Sequence, residues 1–185
     1  MCRFITAVVP AGIDLHAAKP LLEKYGMSFK EVRNPFLEAQ LEGDRYLRAT
    51  RSTCDCDSVL GSAFNQEAAQ TAATVTGDIE KLKKKGWSQH KIERWLAEKS
   101  GATVRHQQTD RSKSVAELAQ WREFISAMLS DKSTDRLGLL IHMYNGTLED
   151  EQIQIKGINH ISLSEQFENS LLEMEEDVLY LVSET

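Results

Sequence analysis

The chain has 185 residues, 41% of them hydrophobic and 27% charged, with a formal net charge of −6; this is the make-up of an ordinary soluble globular protein of one domain. No apolar run approaches the ~20 residues that a bilayer span requires. The opening MCRFITAVVP has a single Arg and no signal-peptide cleavage pattern, so no membrane partner is expected. Three cysteines, an odd number with two of them one residue apart, exclude a disulfide framework, and the expected location is a reducing cytoplasm.

The charge is unevenly spread. Residues 81–113 hold ten Lys/Arg against Glu93, Glu98 and Asp110, whereas residues 144–185 hold ten Asp/Glu against Lys156 alone. Such segregation serves either an outside partner or mutual attraction of the two segments.

Phe4 to Val9, rich in β-branched and aromatic residues, predicts a first strand that Pro10 and Gly12 end. Leu15, Ala18, Leu22 and Tyr25 follow at helical spacing, and Pro20 inside that pattern means the helix either kinks there or begins near Lys19. Met27 to Arg33 alternates as a second strand, which makes the opening β-α-β. Asn34-Pro35 is a turn signal. Phe36–Leu41 and Tyr46–Thr50 then read as the arms of a hairpin.

If the second arm continues, Cys54 and Cys56 point to one side, with Asp55 and Asp57 to the other. Gly61 breaks the chain before a helical stripe of Phe64, Ala68, Ala72, Val75, Ile79 and Leu82, which ends at Lys83-Lys84-Lys85-Gly86. Ser88 caps a second helix expected to stop at Ser100-Gly101. The polar stretch Thr103–Lys113 reads as a loop. Ser114-Val-Ala-Glu117 forms a capping box that opens a third helix bearing Leu118, Trp121, Ile125 and Met128.

Leu137 to Tyr144 is apolar on both faces, the pattern of a central strand. Asn145-Gly146 is the strongest hairpin signal in the chain. A short helix around Phe167, Leu171 and Leu172 and a last strand over Val178–Val182 complete the sequence. The expected fold is α+β: a mixed or antiparallel sheet from the N- and C-terminal strands, with a helical layer or insertion over about residues 62–130. Residues 1–185 read as one domain, within which 62–113 form the helical insertion.

Four features carry candidate chemistry. Cys54 and Cys56, one residue apart, suit a soft metal or thiol reactivity, but zinc wants four ligands. The missing ones would come from Cys2 and a histidine among His16, His90, His106, His142 and His160. Asp55 and Asp57 make a carboxylate pair that Arg48 and Arg51 are placed to neutralise. Cys2 would become an N-terminal nucleophile if Met1 were removed, but amidotransferases with that chemistry begin Met-Cys-Gly and this chain departs at Arg3. The stretch IEKLKKKGWSQHKIERWLAEKSG resembles a helix-turn-helix. The resemblance implies nucleic-acid contact through Lys83, Lys84, Lys85, Gln89, His90, Lys91 and Arg94.

No phosphate loop, nucleophile elbow or metal-spaced His/Glu pair is present in the sequence. The simplest reading is a cytosolic accessory or regulatory protein that binds another protein, with no catalytic residue assigned and no cofactor required. Nucleic-acid binding through residues 79–99 is the alternative. A thiol- or metal-dependent enzyme centred on Cys54 and Cys56, with a metal ion as cofactor, is the third reading.

Overall fold

The computed structural model describes residues 2–62, 81–131 and 133–184, with backbone only for 62, 89, 90, 93, 94 and 96–112. Strand β1 (Cys2–Val9) buries five residues in a row, Ile5 to Val9. A strand buried on both faces must lie inside a sheet. It does: β1 pairs antiparallel with β3 (Arg45–Thr50) on one side and with β4 (Arg136–Tyr144) on the other. With β2 (Met27–Glu31), β5 (Gly157–Ser162) and β6 (Val178–Ser183), the sheet has the order β2-β3-β1-β4-β6-β5. Every pairing is antiparallel except β5 with β6. The fold is thus α+β with a six-stranded mixed sheet.

Helix α1 (Lys19–Lys24) starts where Pro20 can occupy the first turn without losing a hydrogen bond. It joins β1 to β2, which run parallel, but β3 lies between them, so the opening is a split β-α-β. The expected hairpin arm at Phe36–Leu41 is instead α2 (Pro35–Glu38). Asn34 caps α2, its Oδ1 accepting from the amides of Phe36 and Leu37. An Asn cap followed by Pro at the first helical position starts a helix as readily as it marks a turn. After β3 comes α3 (Val59–Ser62).

The segment after Ser88 is one helix, α4 (Gln89–Ser130), 42 residues long. It passes through Ser100-Gly101 and through the expected loop at Thr103–Lys113. A single Gly costs a helix only about 1 kcal/mol, and polar composition alone does not end one. The Ser114 capping box therefore lies in mid-helix. The stripe from Phe64 to Ile79 falls outside the described residues. By its contacts the chain divides into two compact units, residues 1–63 with 117–185, and residues 64–116.

The first unit buries both faces of its sheet. On one face Val8, Tyr46, Leu140, Tyr144 and Leu179 form a cluster with Val32, Leu37, Leu41 and Ile153, which come from loops and α2. The opposite parity supplies Ile5, Ala7, Leu47, Ala49, Leu139 and Ile141, all fully buried. Outside the loop-side cluster lie the buried residues of the last turns of α4, namely Leu118, Trp121, Phe124, Ile125, Met128 and Leu129, and of α5 (Phe167–Leu172), namely Phe167 and Leu171. Phe124 packs on Tyr25 and Phe29 with ring centroids 5.9 and 5.6 Å apart.

The Asn145-Gly146 turn makes no hairpin. The Glu151 carboxylate accepts from the amides of Asn145 and Gly146, and β5 pairs with β6 rather than returning along β4. None of the described helices is long and apolar enough to cross a membrane.

Candidate metal centre

Strand β3 pairs with β1 only over Thr6–Val9, which leaves the Cys2–Ile5 end of β1 with an open edge. Residues 51–58 fold back to fill it. The Asp55 amide donates to the Arg3 carbonyl at 2.8 Å. The Ile5 amide donates to Asp55 Oδ2 at 2.8 Å, and the Thr50 hydroxyl to Oδ1 at 2.7 Å. The Arg3 amide donates to Cys56 Sγ at 3.2 Å. A side-chain carboxylate and a thiol thus complete a ladder that a third strand would otherwise supply.

Asp55 is only 1% exposed. Burial raises its carboxyl above the ordinary value, against the opposing pull of the Ile5 and Thr50 hydrogen bonds and the nearby Arg48. Its carbonyl accepts from the Ser58 amide and hydroxyl, and Ser58 Oγ accepts from the Gly61 amide. A Cβ on Gly61 would run into the Asp55 carbonyl carbon, 2.7 Å away. Only Gly lets the backbone pass so close. The role of Gly61 is to seat this loop.

The consequence is a triangle of thiols. Cys2, Cys54 and Cys56 are all half-buried and outside any disulfide, and their Sγ atoms lie within 4.8 Å of one another. An ion with ~2.3 Å bonds to three thiolates holds its sulfurs roughly 4 Å apart, so the triangle closes on an ion by small rotations. No His, Asp or Glu joins this group among the described residues. Three sulfurs suit a soft ion, either three-coordinate or with one position left for an exogenous ligand.

The expected carboxylate pair dissolves. Residues 51–58 are bends and turns rather than strand, and Asp55 is buried while Asp57 is exposed. Arg51 does not neutralise the pair either; its Nε donates to the Met27 carbonyl at 3.1 Å. In the basic segment Lys83, Lys84 and Lys85 are exposed, followed by Gly86 at φ 76°. Ser88 Oγ accepts from the Lys91 amide, and Lys91 Nζ sits 4.1 Å from the centre of the Trp87 ring. Gln89, His90 and Arg94 lie on the first turns of α4.

His142 is more than a core residue. Its Nδ1 is 2.5 Å from Asp177 Oδ1, and Asp177 also holds Lys156 Nζ at 2.9 Å. Among the described residues its Nε2 is buried without a hydrogen-bond partner, 3.9 Å from Glu151 Oε1. Beside it the Tyr46 and Tyr144 hydroxyls share a hydrogen bond; burial pushes the Tyr46 hydroxyl up to about 12 and raises that of Tyr144 as well.

Sequence reasoning found the cysteines but missed Asp55 as the pin. The available signal was local: a carboxylate between two cysteines, Ser three residues on, and Gly three further. The chain matches no family model, no curated protein and no solved structure.

Proposed function

We propose that this is an accessory or regulatory binding protein of a reducing cytoplasm whose working site is the Cys2–Cys54–Cys56 cluster, holding one soft metal ion such as Cu(I). The observation that carries the reading is the convergence of the three sulfurs within 4.8 Å of one another, although Cys2 stands some fifty residues before the other two. Packing alone does not require thiols to gather. A cysteine buried as a small hydrophobe is satisfied by any apolar neighbour, whereas these three meet half-exposed at a sheet edge.

The ion would be held by one thiolate from β1 and two from the 51–58 loop. Asp55 orients the loop pair by donating its amide to the Arg3 carbonyl and accepting from the Ile5 amide through its carboxylate. Reduced chain, reconstituted with Cu(I) without oxygen and weighed intact by native mass spectrometry, should carry one copper per molecule. The Cys54→Ser/Cys56→Ser double variant should carry none. Cys2→Ser alone should weaken retention as much as either loop substitution alone. Full retention by Cys2→Ser, or an ion-free mass for the parent chain, would overturn the reading.

A further inference from the structure

The His142 cluster shares no residue with the thiol triangle, and its donors are chemically different. His142 stands in mid-sheet on β4, with its side chain 13% exposed. Glu176 and Asp177 approach it from the turn before β6, and one ligand atom from each of the three lies within 4.8 Å of the others. The backbone fixes the two carboxylates. The Met143 amide donates to Glu176 Oε1 at 2.7 Å. Asp177, at φ 66°, donates its amide to the Ile141 carbonyl and accepts from the Lys156 amide.

We propose that His142 Nδ1, Asp177 and Glu176 form a second metal site, for a borderline divalent cation of the zinc, cobalt or manganese type, with Lys156 as the resident cation that an ion displaces. The independent pointer is the far ring nitrogen. With Nδ1 given to Asp177, Nε2 is buried and has no hydrogen-bond partner among the described residues. An ion on Nδ1 places the ring proton on Nε2, which then faces Glu151 Oε1, 3.9 Å away. That is the carboxylate–histidine–metal arrangement in which a ligand imidazole is steadied by a carboxylate on its other nitrogen. Glu151 is already aimed, held by the amides of Gly146 and Asn145. One imidazole and two carboxylates suit borderline and hard ions rather than the soft ion of a thiol triangle.

The test uses Co²⁺ on the Cys2→Ser/Cys54→Ser/Cys56→Ser variant, read by absorption and calorimetry. One equivalent should bind, with weak d–d bands and no thiolate-to-cobalt charge transfer. His142→Gln and Asp177→Asn should each weaken it at least tenfold, and Glu151→Gln about tenfold. Lys156→Met should tighten binding, an outcome that a purely structural ion pair would not give. The parent chain supplies a second reading that needs no variant to fold: Mn²⁺, which shuns thiolates, should broaden the His142 ring resonances at substoichiometric levels. No cobalt uptake by a folded triple variant, uptake unchanged by His142→Gln, or manganese broadening that spares His142 would each overturn the proposal.

Discussion

The two faces of the sheet are buried by different means. One parity of the strands, Ile5, Ala7, Leu47, Ala49, Leu139 and Ile141, is apolar and buried with the helical residues of α4 and α5. The other is closed by loops and α2, and among its apolar residues it carries Thr6, Arg48, His142 and the paired hydroxyls of Tyr46 and Tyr144. A helix satisfies its own backbone and can offer a continuous apolar stripe. A loop brings unpaired amides and carbonyls that must find polar partners. Thr6 shows the same need within the sheet itself, its hydroxyl donating to the Leu140 carbonyl at 2.9 Å. Chemistry collects where loops meet a rigid strand, and both donor clusters among the described residues are of that kind.

The contrast makes graded predictions. The largest loss belongs to the helical side: Phe124→Ala removes a fully buried ring that meets Tyr25, Phe29 and Trp121. It should cost about 3–5 kcal/mol by denaturant unfolding while leaving the metal stoichiometry of the remaining folded chain intact. Gly61→Ala reverses that pattern. The added methyl pushes the Asp55 carbonyl off its seat, costing about 1–3 kcal/mol, and ion retention at the thiols should fall with it. If Gly61→Ala kept its ion at full affinity, the loop would not be what places the sulfurs.

Asp55 gives the next step down. Asp55→Ala strands the Ile5 amide, at about 1–3 kcal/mol; Asp55→Asn keeps an acceptor there and should cost less. Burial holds this carboxyl above its ordinary value of 3.8, so between the two values the folded chain binds more protons than the unfolded one. Its contribution to stability is therefore greatest below 3.8 and declines as pH rises through the folded value. Asp55→Asn should remove that downward slope from a pH series of unfolding curves. An unchanged slope would assign it to another carboxyl, with Glu117, also raised by burial, the first to examine. The smallest effect is Tyr144→Phe, which takes one of its partners from the Tyr46 hydroxyl while Thr6 remains beside it, and should cost about 1 kcal/mol.

Legibility in the sequence followed the same division. Strands with apolar residues on both faces, β1 and β4, could be placed from composition alone, and so could the inward stripe of Leu118, Trp121, Ile125 and Met128. What failed was punctuation. Asn34-Pro35 opened a helix, Asn145-Gly146 was taken over by Glu151, and Gly101 ended nothing, because each signal is ambiguous by itself: Asn before Pro caps a helix as readily as it marks a turn, a carboxylate five residues on captured the Gly146 amide, and one Gly costs a helix too little to stop it. The thiol pair was legible as a motif, but its third member was only one candidate ligand among several. Cys2 reaches Cys54 and Cys56 through the return of a loop to β1, a long-range event that spacing does not encode. His142 looked like core because its carboxylate partners lie on loops that carry no periodic signal.

The pairing of β1 with β4 joins Cys2 to Tyr144 and Val8 to Gly138. Bringing such distant segments together is the slow, entropically costly part of assembling a sheet. The thiol triangle needs none of it, since Cys2, the β3 edge and the 51–58 loop all belong to the first 62 residues. During synthesis, the three sulfurs can gather while the other half of the sheet is still unmade. An ion caught at that stage would act as a temporary clasp, holding one edge of β1 in place until β4 arrives to take the other.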